Sequence, residues 1–291
     1  MIEDRTINGR IFALVNYLLL TIIAIITVLP FLHVVAGSFT TSAELAVKRF
    51  ILIPTEWSLD AYRFIFSTNT IFRAMGVSVG VTLFGTLFSM LITSLMAYGL
   101  ARRDLDGRKY IMFLVVFTML FSGGLIPSFL VVKELGLIDK YAALILPSTI
   151  SAFNLIILKN FFQNIPEGLE ESAKIDGSSD FGILFRIVLP LSMPAIATLS
   201  LFYAVTYWNT YLSAILYLND SAKWPIQVLL RQIVVLASGL DTSPDLDASV
   251  PPPEQTLKMA VIVVATLPIL CVYPFLQKHF AKGAMLGSIK G

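Results

Sequence analysis

Few residues in this chain of 291 are of a kind that does covalent or metal chemistry. There are two histidines, His33 and His279, and a single cysteine, Cys271. A His-Glu-x-x-His zinc site needs two histidines on one helix face, and a serine triad needs a histidine between hydroxyl and acid. Neither can be built here, because the topology derived below sets the two histidines on opposite sides of a membrane. One cysteine excludes an internal disulfide and a cysteine-held metal. It sits inside an apolar run and reads as a packing or lipid-facing residue. No Gly-x-x-x-x-Gly-Lys-Ser/Thr loop is present to cradle a phosphate, and Ser122-Gly-Gly-Leu reads as a helix end or a close-packing site. No catalytic residue, metal site or bound cofactor is expected in this chain.

The elements that surround these residues are set by composition. Hydrophobic residues make up 56% of the chain and charged residues only 14%, against about 25% charged in soluble domains. Most of the chain therefore belongs in lipid. Continuous apolar runs about twice the length of a barrel strand exclude an outer-membrane barrel, and 17 glycines and 14 prolines are tolerated in membrane helices. The expected fold is an all-α polytopic bundle forming one transmembrane domain over residues 1–291. Its six spans fall at about 11–37, 72–100, 110–132, 142–162, 187–218 and 259–280. The first run is too long for the apolar core of a signal peptide and is read as a retained helix. Pro190 and Pro194 at the start of the fifth run predict an interfacial entry followed by a kink. His33 reads as an interfacial or packing residue.

Six spans put both termini on one side, and Arg5, Arg10, Arg102, Arg103, Arg108, Lys109, Lys278, Lys282 and Lys290 share that side. The positive-inside rule makes it the cytoplasm. Two long connections, about 38–71 and 219–258, then lie outside, the second carrying a polar, proline-rich stretch from Asp241 to Glu254 expected to be mobile or ordered by a partner. A net charge of only +2, with acids and bases interspersed, leaves no basic stripe for nucleic acid. The span interiors lack the carboxylates that a proton- or sodium-driven carrier needs near the midplane. Energy for any transport must then come from another subunit.

Between the fourth and fifth spans, a coupling loop over residues 165–186 carries the distinctive pattern. Pro166 with Glu167, Glu170 and Glu171 suits a helix start, where a missing amide is tolerated and negative charge meets the positive end of the dipole. Gly177 is placed to end that helix in a left-handed turn. By shape alone the segment could equally be a solvated connector. Glu171, Ser172 and Ala173, then Gly177 after three residues, then Ile187, Leu189 and Pro190 after nine more, resemble the E-A-A-x3-G-x9-I-x-L-P loop of bacterial ATP-binding-cassette importer permeases. Serine at 172 departs from the family's alanine and is small enough for the same contact. Phe121-Ser-Gly-Gly-Leu-Ile-Pro, Gly136-Leu-Ile-Asp, Trp208-Asn and the tail from Tyr273 are similar to the maltose-permease-like carbohydrate-uptake group, in its polysaccharide and oligosaccharide branch.

That resemblance implies a permease subunit forming half of a translocation pathway in the bacterial cytoplasmic membrane. Its partners would be a second permease, two cytoplasmic ATPases that carry ATP and Mg, an extracellular solute-binding lipoprotein and a carbohydrate. Mapped onto this sequence, the ATPase-coupling contact is Glu171, Ser172, Ala173, Asp176 and Gly177, with Glu171 the expected partner of an ATPase arginine. Sugars are held by aromatic faces and polar side chains, for which the fifth span offers Tyr207, Trp208, Asn209 and Tyr211, with Tyr203 beside them. Packing and interfacial belts are the plainer use of such aromatics. Lys282, Gly283, Gly287 and Lys290 lie in a tail whose small and apolar composition suits close approach to an ATPase, the plain alternative being a cationic anchor. A permease for another solute class, or a membrane scaffold without transport, stays open as an alternative.

Overall fold

The structure is a computed structural model, and it describes residues 7–67, 69–237 and 255–287, the last with side chains as far as Cys271. The Asp241 to Glu254 stretch lies outside the described residues. Among the described residues every regular element is helical, apart from one isolated bridge between Thr40 and Trp57. The chain divides into two compact units, one within Met1–Asn69 and Leu230–Leu267, the other within Thr70–Leu229 and Pro268–Gly291.

The first unit begins with α1 (Ile7–Ser38). Among the described residues its apolar run is exposed, Leu18, Ile22, Ile25 and Phe31 included; such a length of apolar surface belongs in a bilayer. After α1 the chain folds on itself through α2 (Ser42–Val47) and reaches α3 (Asp60–Ser67). A small core of Ala36, Leu45 and Ile51 packs against Met259, which lies on α15 (Gln255–Gly287). Polar bonding supplies what so small a core cannot. Glu44 is 7% exposed, and its carboxylate accepts from the Thr40 hydroxyl at 2.6 Å, the Thr55 hydroxyl at 2.5 Å, the Glu56 amide at 3.0 Å and the Lys48 ammonium at 2.9 Å. Those bonds hold its pKa far below the usual glutamate range. His33 stacks on Phe50 and its Nδ1 lies 3.0 Å from the Ile51 carbonyl, so it is a packing residue of this unit.

The second unit is built on α4 (Asn69–Ala101), a single helix of 33 residues. Three further apolar segments are broken, and each break has a local cause. α5 (Arg108–Leu120) and α6 (Leu125–Glu134) meet at 120°, where Gly124 has φ 84°, a conformation costly to residues with a Cβ. The run from Tyr110 to Val132 is thus two helices with the glycine pair as the hinge. α7 (Ala142–Ile145), continued by a 3₁₀ turn through Pro147, meets α8 (Ala152–Gln163) at 54°, and the Ser151 side chain caps α8 by accepting from the Asn154 amide at 3.4 Å.

The coupling loop supplies α9 (Glu167–Ile175), α10 (Asp180–Ile183), a π turn over Leu184–Val188, and α11 (Leu189–Leu191). α12 (Met193–Trp208) then departs at 86°. Pro190 explains the π turn, because an α turn would press its ring into the Arg186 carbonyl; the wider turn instead has the Leu189 amide donating to the Leu184 carbonyl. α13 (Leu212–Tyr217) and α14 (Ile226–Ala237) follow. The core of this unit takes Ala97 and Leu100 from α4, Leu155 and Leu158 from α8, Ile183 and Val188 from the loop, and Leu199 and Tyr203 from α12.

Candidate functional site

α9 is a surface helix with one buried side. Ala173 is buried against the unit, while Glu171, Ser172, Lys174, Asp176 and Gly177 are exposed. The Ser172 hydroxyl donates to the Gly168 carbonyl at 2.8 Å within the helix, so it brings no unpaired polar group to the surface where alanine is usual. Gly177 has φ 81°. Its amide donates to Lys174 at 3.0 Å and the Ser178 amide to Ala173 at 2.9 Å, the paired bonds of a Schellman motif that satisfies the helix's last carbonyls. Ser179 then caps α10, accepting from the Gly182 amide at 3.2 Å. The loop thus caps its own helix ends. Yet its outer surface carries Ile175 at 87% exposure and Phe181 at 67%, apolar groups set among acids and left uncovered by the described residues.

Beside α9, a cavity of about 340 Å³ is lined by Arg102, Arg103, Asp104, Gln163, Glu170 and Glu171, among others. Arg102 lies at its wall, its Nη1 donating to Asp180 at 2.5 Å and its Nη2 to Asp104 at 3.1 Å. Asp104 and Asp180 together raise the guanidinium pKa above its already high value, and Arg102 lowers that of Asp104. The end of α4 would otherwise leave carbonyls unpaired. Arg108 Nε donates to the Leu100 carbonyl at 2.9 Å and Gln163 Nε2 to the Ala101 carbonyl at 3.1 Å.

The aromatic group on and just after α12 separates into different environments. Tyr203 and Tyr207 are each 2% exposed. Their hydroxyls bond to Thr93 and Ser89 of α4, each at 2.7 Å, and Tyr203 also accepts from the Ser151 amide at 3.0 Å. Gly85 gives the Tyr207 ring its space, since a Cβ there would fall 2.8 Å from ring carbons. A hydroxyl bond between membrane helices contributes on average only about 0.6 kcal/mol, so the pair fixes orientation more than it adds stability. Trp208 is 5% exposed and its indole N–H has no partner among the described residues. Asn209 is exposed at the end of α12, its amide donating to the Val205 carbonyl at 2.8 Å, and Tyr211 is half-buried. In this conformation, then, Tyr207 offers no face to a solute, while Asn209 does. Lys282, Gly283 and Gly287 lie on the helical backbone of α15, their side chains outside the described residues, and Lys290 lies outside them altogether.

Sequence reasoning did not find Arg102, Asp180 or Gln163 as partners, or the hydroxyls Ser89 and Thr93. The second had a signal: Ser89 and Thr93 share a four-residue spacing with Tyr203 and Tyr207, which puts each pair on one helix face. Among the described residues no cluster of histidine, cysteine and acid is placed to hold a metal.

Among the described residues the elements are helical, several of them long and apolar, which is the make-up of a helical membrane protein. Residues 6–285 match the family described as the binding-protein-dependent transport system inner membrane component, and the chain belongs to that family. It is a transporter permease component and not an enzyme. It is 69% identical to the polygalacturonan/rhamnogalacturonan transport system permease protein YtcP of Bacillus subtilis, covering 98% of this chain and 100% of that one. Identity to the protein LplC of the same organism is 57%, covering 99% and 97%. A solved bacterial ABC transporter involved in the import of the acidic polysaccharide alginate contains a chain 31% identical, with a TM-score of 0.87 over 94% of this chain and 98% of that one.

Proposed function

We propose that this chain is one of two permease subunits of an ATP-driven importer, and that its solute is an acidic oligosaccharide or polysaccharide fragment delivered by an extracellular binding protein. Relatives named for polygalacturonan and alginate support the solute class. The observation that carries the coupling role is the exposed surface of α9 and α10, where Ile175 and Phe181 stand uncovered beside Glu171. Two large apolar side chains exposed together on a loop of acids support a contact with another chain. That chain is a cytoplasmic ATPase, which binds ATP and Mg; the permease itself binds neither. Two ATPases serve the two permeases, both termini of this chain face the cytoplasm, and the tail from Lys282 to Gly291 makes a second ATPase contact. Nucleotide-driven closure of the ATPases pulls on the coupling helices and moves the permeases between inward- and outward-facing forms. Asn209, exposed at the end of α12, is the group proposed to meet sugar, with Trp208 beside it buried in this conformation.

Glu171→Lys tests the coupling role. Reversing a charge that pairs with an ATPase arginine costs on the order of 3 to 5 kcal/mol if the pair is buried in the complex, and the substitution lies outside every span. The variant is expected to insert normally while ATPase co-purification and uptake of oligogalacturonide both fall to background. Normal uptake by the variant would remove Glu171 from the contact.

A further inference from the structure

α4 meets the coupling arm at two depths. At its cytoplasmic end Arg102 bonds to Asp180 at 2.5 Å, and deeper in the unit Ser89 and Thr93 bond to Tyr207 and Tyr203 of α12, each at 2.7 Å. Between those levels the arm is a continuous helical path: α10, the π turn and α11 follow one another without a gap, and only Ser192 separates them from α12. α9 is joined to the same point, since Lys174 Nζ lies 3.9 Å from Asp180 and Arg103 Nε lies 3.5 Å from Glu167. The end of α4 is also where α5 and α8 attach, through Arg108 and Gln163. The Arg102 side chain is 23% exposed, too covered to be a plain solvated cation, and its planar fork reaches Asp104 and Asp180 at once.

We infer that Arg102 is a positioning residue that clamps α4 to the coupling arm at Asp180, so that displacement of the coupling helix is delivered to α4 and α12 as one rigid body. Without the clamp, the arm would be held to α4 at this level by the packing of Ile183 and Val188 alone, and would reach α12 through the 86° bend at Ser192. Arg102 touches neither solute nor nucleotide in this scheme; it acts through Asp180. The inference rests on the reading of α9 as the ATPase contact, but concerns what happens to the force afterwards.

The test uses the complete complex with its ATPases and solute-loaded binding protein, and measures ATP hydrolysis and oligogalacturonide uptake on the same preparation. Arg102→Ala and Asp180→Ala should each retain ATPase subunits and hydrolyse ATP, while uptake per ATP falls on the order of tenfold, the size of an ordinary coupling between sites. The exchanged pair Arg102→Asp with Asp180→Arg should recover much of the coupling, and Arg102→Lys, which keeps the charge without the fork, should recover part. Loss of hydrolysis and uptake in parallel, with no rescue by the exchanged pair, would show that Arg102 only supports folding and would overturn the inference. Unchanged uptake per ATP in Arg102→Ala would overturn it directly. If instead the wild-type complex neither retains an ATPase nor takes up solute, the importer reading itself fails, a result distinct from either.

Discussion

Glu44 is a charge kept almost out of water by a loop that has little apolar core of its own. The Thr55 and Glu56 amides both point at its carboxylate, at 3.1 and 3.0 Å, and a protonated acid would accept those bonds far less well. Its folded pKa lies well below the ordinary value of 4.5. The stability it adds is therefore complete above that value and is lost as pH falls beneath it. Hydrogen-exchange protection of the Thr55 and Glu56 amides, corrected for the intrinsic rate, should be flat from neutral pH down to about 5 and then decline. In Glu44→Gln the same amides should be less protected throughout, with no such pH dependence. Asp139 does similar work in the other unit. It occupies the left-handed region at φ 63° and accepts from the Asn219 and Asp220 amides at 3.2 and 3.1 Å and from the Lys223 ammonium; these bonds lower its pKa and raise that of Lys223.

At the scale of elements, α9 depends on how it ends. A Cβ on Gly177 would meet no atom within 4 Å, so the cost of a side chain there is conformational, about 1 to 2 kcal/mol for a residue forced into the left-handed region. Gly177→Val should loosen the turn and lower uptake several-fold, whereas Gly177→Asn, which tolerates that region, should keep most of it; equal loss in both would point to a contact made by the glycine itself. This helix could be read from residues alone, because proline, three glutamates and a glycine are local signals that need no knowledge of the fold. The breaks at Gly124 and Ser192 were marked by glycine and proline in the same way. What local signals could not supply was pairing across the chain. Arg102 counted equally well as a topology marker, and nothing in its neighbours names Asp180 as its partner. Aromatic residues on the fifth span posed the converse problem: tyrosine serves a buried hydroxyl bond and a sugar contact with the same atoms, and only burial separates Tyr207 from Asn209.

Across the whole molecule, the long apolar runs of sequence hold few ionisable groups. Lys159 is buried in α8, and no aspartate or glutamate occurs within residues 72–100, 110–132, 142–162 or 187–218. A proton-coupled carrier needs a group that binds and releases a proton near the midplane, and the acids of this chain fall outside these apolar stretches of sequence. Uptake into sealed vesicles should therefore require ATP and continue after an ionophore has collapsed the proton gradient. Arrest of uptake at constant ATP would place the driving ion in the membrane after all.

The π turn at Leu184–Val188 sets an angle as well as a length. Successive residues of a helix are turned by about 100° around its axis, so one residue more or fewer between Gly177 and Pro190 would swing everything before it to another face. Asp180 would then point away from Arg102, and Glu171 away from whatever it meets. The count of residues in this loop thus works like the indexing of a threaded joint. Substitutions within it change what is presented, but an insertion or deletion changes the direction in which all of it is presented, and no single side-chain replacement can restore that aim.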